Sequence, residues 1–307
     1  MIEWIIAALF AGMLVPVQNA ANARLRMSVG TPRNATMLSF ALSTAVLCGI
    51  ASLLTHQPLP TLSAIAAAPW WTLTGGLIAV FNITLLIRMF RELGQLETIV
   101  LPLFGQLAFS LVIDGVGLFG AARIPVTPLR VAAILVAGTG VLILTANGRS
   151  HPTAAQAASP TRNLWRLAAI AVGCLIASIG EIYGTLGVRL GSALSASLVS
   201  FLIATAAIFA ICAADRSLFR VQDAFLKPAP WWMWLGGLCG AVNVYATSKL
   251  IPVLGTGAFF TAFLSGQMIF SLALDHFGGL GATKHRAGLR QAAGISLMLG
   301  GAALIRF

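Results

Sequence analysis

Apolar residues in this chain gather into long runs separated by short polar stretches. Ten runs lie near 2–22, 36–54, 70–90, 96–113, 129–146, 165–187, 194–213, 231–250, 256–274 and 289–306. A helix needs about 20 mostly apolar residues to cross the hydrocarbon of a bilayer. The runs are rich in Ala, Leu, Gly and Ile, which suits helices. Barrel strands would instead show alternating segments of about ten residues. The pattern predicts an all-α membrane protein with ten transmembrane helices. The start, Met1-Ile2-Glu3-Trp4, lacks a basic leader region and is read as a retained first helix rather than a cleaved signal.

The pattern also repeats. Trp70-Trp71 matches Trp231-Trp232, Gly75-Gly76 matches Gly236-Gly237, and Asn82 matches Asn243. Gly105-Gln106 matches Gly266-Gln267, and Asp114 matches Asp275. Each pair is separated by the same offset (231 − 70 = 161), as are Gly12 and Gly173, Gly30 and Gly191, and Ser39-Phe40 and Ser200-Phe201. The division that follows is a first five-helix repeat at 1–146, a polar linker at 147–164, and a second five-helix repeat at 165–307. The linker contains Gly148, Ser150, Pro152, Gln156, Ser159 and Pro160, all typical of a connecting segment. Five is odd, so the second copy enters the membrane upside down relative to the first. Inverted repeats recur in secondary transporters, whose substrate sites lie near mid-membrane at the repeat interface. A duplicated scaffold without transport is the plainer alternative.

Composition excludes a soluble protein. The chain is 58% hydrophobic and 9% charged, with mean hydropathy +0.92. Soluble domains carry about 25% charged residues. The net charge of +11 does not call for a nucleic acid, because the basic residues sit mainly in loops. Fourteen of the nineteen Lys and Arg fall in the odd-to-even loops and the linker, and five fall on the other side. The positive-inside rule then places both termini outside. The Trp residues stand at the starts of runs, as in an interfacial belt. The four cysteines lie in apolar runs without metal-type spacing and read as small hydrophobes. No nucleotide-binding, zinc-protease or nucleophile-elbow motif is present, so no cofactor and no enzymatic reaction centre is expected.

Candidate chemistry lies in polar residues within the runs. Asn82 and Asn243 occupy the middles of matched runs, as do Gln106 and Gln267. An amide in hydrocarbon needs a partner. It can act as interhelical glue, worth about 0.6–2 kcal/mol, or it can line a wet cavity. The first run carries Gln18, Asn19 and Asn22, with Gln18 and Asn22 on one helical face. Their counterparts are Ile179 and Tyr183, so any cavity is asymmetric. Gln18, Asn22, Asn82, Gln106, Tyr183, Asn243 and Gln267 are the candidate substrate lining.

Three carboxylates are candidates for coupling. Glu181 lies inside a run, where an ionisable group is a functional candidate by default. It stands two residues before Tyr183, about 200° around a helix at about 100° per residue. One of the two faces a central cavity and the other faces away. Asp114 and Asp275 close matched runs, where a carboxylate opposes the helix dipole. A neighbouring Arg or the backbone N–H groups of the Gly-rich turn must compensate. An anchoring role for the turn is the simpler reading.

The strings Gly12…Gln18…Asn22…Leu25…Gly30…Ser39-Phe40 and Gly236-Gly237-Leu238-Cys239-Gly240-Ala241-Val242-Asn243 resemble the YdcZ-type family of the drug/metabolite transporter superfamily. So do Leu254-Gly255, Gly266-Gln267 and Asp275-His276-Phe277-Gly278. The resemblance covers nearly the whole chain twice, as a fused two-unit protein. It implies a ten-helix bundle of inverted halves that exports or exchanges small metabolites without ATP. Gly115 stands where the Asp-His pattern would place His, and Ile179 where it would place Gln. Ten-helix relatives in the superfamily imply cytoplasmic termini, opposite to the charge count.

The expected function is secondary transport of a small polar metabolite or amphipathic cation across a bacterial-type inner membrane by alternating access. Proton coupling would fall to Glu181, Asp114 or Asp275. The expected partners are a small-molecule substrate, the lipid bilayer and protons as coupling ion, in a monomer or homodimer. A flippase for a lipid-linked solute and a non-transporting scaffold are the alternatives.

Overall fold

The computed structural model describes residues 2–55, 60–145, 161–215, 230–281 and 289–304. All regular structure among them is helical. The helices are α1 (Ile2–Val29), α2 (Pro32–Thr55), the short α3 (Leu62–Ala67), α4 (Gly75–Val116) and α5 (Pro128–Thr145). The second half holds α6 (Arg162–Arg189), α7 (Ala193–Ala214), α8 (Leu235–Leu254), α9 (Thr256–Phe277) and α10 (Leu289–Leu304). Arg162, Asn163 and Leu164, assigned to the linker from sequence, belong to the first turn of α6. Most of the predicted linker lies outside the described residues.

Among the described residues, seven helical stretches are long and apolar enough to cross a membrane, and Gly75–Leu86 and Pro128–Gly140 are apolar but shorter. Large apolar side chains face outward along them, Phe10, Leu53, Leu77 and Phe209 among them. An outer surface of this kind suits hydrocarbon, which imposes no cost on an exposed Leu or Phe.

The predicted runs 70–90 and 96–113 are joined, because helical backbone continues from Gly75 to Val116 over 42 residues. A straight helix of that length would extend about 63 Å at 1.5 Å per residue. Its contacts exclude a straight rod. Gly75 lies against Ile182 and Tyr183 of α6, and Met89 and Leu93 pack with Ala169 and Val172. Glu97 binds Arg162 and Arg166 at the start of α6. Pro102 and Gln106 lie against Gly173, and Gly120 lies against Thr185. The chain therefore descends α6 and climbs it again, so α4 is two arms with a reversal near Glu97. In the second half the matching corner is an open break. Gly255 there adopts φ 82°, ψ 159°, between α8 and α9.

The two halves contact each other reciprocally. A Cβ on Gly12 would overlap Phe263 O and crowd Gln267 N, and a Cβ on Gly173 would overlap Pro102 O and crowd Gln106 N. These are the same contact displaced by 161 in both partners. Gly105 meets Ile170 O, and Gly266 meets Leu9 O. Reciprocity of this kind is the signature of a two-fold relation. Two equivalent residues meet each other where such an axis passes. Thr44 Oγ1 and Thr205 Oγ1 are 3.0 Å apart, and the rings of Phe40 and Phe201 have centroids 5.5 Å apart. The pair α2–α7 thus joins the two halves through equivalent residues. Local geometry is duplicated too. Gly117 and Gly278 end α4 and α9 in left-handed conformation (φ 76° and 70°), and the next turn forces positive φ on Phe119 and Leu280.

Candidate functional site

Two polar groupings interrupt the apolar interior. The first lies where α1, α2 and α8 converge. Glycines on α8 let the helices approach closely enough for short side chains to meet. Ser43 Oγ donates to Gly237 O at 2.7 Å. Asn243 Nδ2 donates to Gln18 Oε1 at 2.9 Å. Gln18 Nε2 and Ser43 Oγ border Gly240, and Asn22 Oδ1 and Ser39 Oγ border Gly236. Gln18, Asn22 and Asn243 are thus brought together, with Ser39 and Ser43. Ser39 stands out in the sequence only as a matched repeat position and part of the family string, and Ser43 not at all. Oδ1 of Asn22 and Oδ1 of Asn243 are buried without a hydrogen-bond partner.

The sequence repeat places a second version of this grouping on α4 and α6. Tyr183 takes the position of Asn22, and its ring lies against Gly75, the counterpart of Gly236. Asn82 takes the position of Asn243, while the position of Gln18 is held by Ile179. Asn82 is 4% exposed, and both polar atoms of its amide lack a partner. Ile179 is buried and has nothing to offer an amide. Such a group costs about 1–3 kcal/mol when left unsatisfied.

Gln106 is buried on the second arm of α4, and Gln267 is half-buried on α9. Their backbone N atoms line the close approaches at Gly173 and Gly12. The glycines beside them, Gly105 and Gly266, serve helix packing against α6 and α1.

The second grouping lies at one end of the bundle. Asp114, fully buried near the end of α4, accepts from Arg130 Nη2 at 2.7 Å. It also accepts from Thr256 N at 2.8 Å and Gly257 N at 3.0 Å, the first amides of α9. A carboxylate there complements the positive end of the α9 dipole. The amides come from the break at Gly255 and not from the turn that follows Asp114. Glu181 of α6 sits next to this group. Thr256 Oγ1 donates to Glu181 Oε2 at 2.7 Å, and Thr185 Oγ1 lies 3.5 Å from Glu181 Oε1. Thr185 Oγ1 also donates to Phe119 O at 2.7 Å. Glu181 therefore points at α9 while Tyr183 points at α4, as their spacing on a helix requires. Arg130 and Thr256 were not singled out from sequence. Arg130 looked like one more loop charge at the start of a run, and only the neighbouring Asp114 could have hinted at its pairing. The side chain of Asp275 lies outside the described residues.

At the opposite end of α6, Glu97 accepts from Arg162 at 2.6 Å and from two nitrogens of Arg166 at 2.8 Å. This fork fastens the reversal of α4 to the start of α6. Arg33 pairs with Asp215 and fastens α2 to the end of α7.

A family model described as "Putative inner membrane exporter, YdcZ" matches residues 3–143 and again 164–304. The two matches differ by the same 161 residues that relate the sequence repeats and the reciprocal contacts. A comparison with curated proteins finds no match. Among solved structures, one described only as "Crystal structure of protein" has TM-score 0.65 at 16% identity, covering 98% of each chain. That likeness concerns the fold.

Proposed function

We propose, from the fact that the chain belongs to the YdcZ family of inner-membrane exporters, that it is a secondary transporter of a small polar metabolite or amphipathic cation, working by alternating access. Membership makes it a multi-pass inner-membrane protein. The finer reading is ten spans in two inverted units. The shorter apolar helices Gly75–Leu86 and Pro128–Gly140, together with Leu289–Leu304, complete the ten. Five spans per unit require opposite insertion, and the reciprocal contacts support an axis between the units. Rocking one unit against the other about that axis would expose a site at the interface alternately to each side.

Asn82 carries this reading of the site. A buried amide whose donor and acceptor are both idle fits a position that a solute occupies, because the cost is recovered when the solute binds. Gln18, Asn22, Asn243 and Tyr183 would line the same interface, with Gln106 and Gln267 on the flanking arms. The asymmetry between Gln18 and Ile179 gives the solute one polar wall and one apolar wall.

The test begins with a thermal-stability screen of purified protein against a metabolite library at two pH values. Counterflow of the stabilising compound is then measured in sealed proteoliposomes. Asn82→Leu should abolish counterflow while the protein remains folded. Unchanged flux in both Asn82→Leu and Asn243→Leu would remove these residues from the site. Movement of a water-soluble solute would also separate transport from flipping of a lipid-linked one.

A further inference from the structure

Glu181 and Asp114 belong to one grouping, yet their surroundings differ in kind. Asp114 has a guanidinium and two helix N-terminal amides. Glu181 is 4% exposed and has only hydroxyls. Among the described residues, no cation on the packed elements pairs with it. On α4 its neighbour is Asp114, and Arg130 of α5 binds that aspartate through Nη2, while its buried Nη1 makes no hydrogen bond, to Glu181 or any other group among the described residues. Arg123, in the turn after α4, is exposed and donates to Val116 O. Lys249 and Tyr245 of α8 and Arg189 at the end of α6 are exposed. The first turn of α9 offers Thr256 alone, and the described α7 and Trp70–Leu73 carry no charge near this end.

Proton counting completes the picture. Thr185 has one hydroxyl proton, and the 2.7 Å contact with Phe119 O uses it. What Thr185 then presents to Glu181 Oε1 is a lone pair. Thr256 donates to the other oxygen. A carboxylic acid satisfies both partners, with one oxygen accepting from Thr256 and the other donating its proton to Thr185. A carboxylate would face a lone pair, a second carboxylate and no counter-charge.

We propose that Glu181 is a proton-binding site, occupied while α6 and α9 are closed on each other at Thr256. The proton can leave to water only when the break at Gly255 opens that end of the bundle, so proton occupancy and opening are linked. The site exists at one end only. The repeat counterparts of Glu181, Thr256 and Arg130 are Ala20, Gln95 and Gln291. As coupling to solute movement, the assignment rests on the transport reading. As a proton site, it stands without it.

Infrared difference spectroscopy of the protein in lipid vesicles tests it without any solute. A protonated carboxylic acid has a carbonyl stretch apart from that of a carboxylate. Wild type should show this band and lose it as pH rises. Glu181→Gln, which keeps the shape and an acceptor for Thr256, should lack it from the start. Thr256→Val should retain the band at a higher frequency, because its carbonyl loses a hydrogen bond. A spectrum unchanged by Glu181→Gln overturns the proposal, as does loss of the band on adding Na⁺ at fixed pH, which would mark a sodium site. Solute counterflow without the band would leave the transport reading intact and remove this one. The band without counterflow of any solute would do the reverse.

Discussion

The two halves of the molecule share a backbone plan and differ in what they place at equivalent points. In the first half, α1 offers Gln18, and Asn243 takes it as a partner at 2.9 Å. In the second, α6 offers Ile179, and Asn82 is left with an idle amide. At the end of the bundle, Asp114 is surrounded by Arg130 and the α9 amides, with Glu181 beside them. The residues matching Arg130 and Glu181 are Gln291 and Ala20. Where backbone meets backbone, the repeat is kept, as at Gly12 and Gly173. Where side chains could meet a solute or a proton, it is not. Backbone packing needs both copies alike, and the proposed transport reading puts the unlike residues at its site and at one end of the bundle.

Breaking the unlike end should have the largest effect. Arg130→Met removes the counter-ion of a fully buried carboxylate and should cost about 3–5 kcal/mol. Unfolding in mixed detergent micelles measures it, and a cost near zero would show that the α9 amides alone suffice for Asp114.

Breaking the paired wall comes next. Gln18→Leu leaves the Asn243 amide without its partner and should cost about 1–3 kcal/mol. Adding Asn243→Leu should recover part of that loss. A double-mutant cycle with no coupling would mean that the pair carries no energy in lipid.

The idle wall should respond with the opposite sign. Asn82→Leu removes two unsatisfied atoms and should raise stability by about 1 kcal/mol while counterflow is lost. A fall in stability equal to that of Asn243→Leu would make the two walls alike after all.

The smallest effect should come from repairing the asymmetry. Ile179→Gln gives Asn82 the partner that Gln18 gives Asn243, worth about 0.6 kcal/mol in a membrane interior. Its sharper readout is the library screen, where the stabilising compounds should change.

Much of this plan was legible in the chain. The apolar runs placed the helices, since a helix in lipid must be long and apolar, and the constant offset located the repeat. The matched glycines at 105 and 266 marked close contacts before any contact was known. The resemblance to the YdcZ family, carried by Gln18, Asn22 and the glycine-rich 236–243 stretch, is matched by the family model in both units. Boundaries were less legible. Polar residues near 91–97 suggested a loop between two runs, yet helical backbone continues through the reversal. The fork of Arg162 and Arg166 on Glu97 holds that corner from another part of the chain.

The sequence by itself determined that the chain is helical, lives in a membrane and is built twice, because hydropathy and periodicity are local or translational properties. It also determined that Glu181 and Tyr183 face opposite ways, which follows from helix geometry alone. Only the tertiary structure decided which polar groups have partners. Asn82 and Asn243 are indistinguishable as letters, and so nearly are Asp114 and Glu181 as buried acids. Their difference arises from residues far away in the chain that fold beside them, Gln18 for one asparagine, Arg130 and Thr256 for the two acids. In hydrocarbon no water can substitute for a missing partner, so that pairing decides which groups are structural and which are free to act.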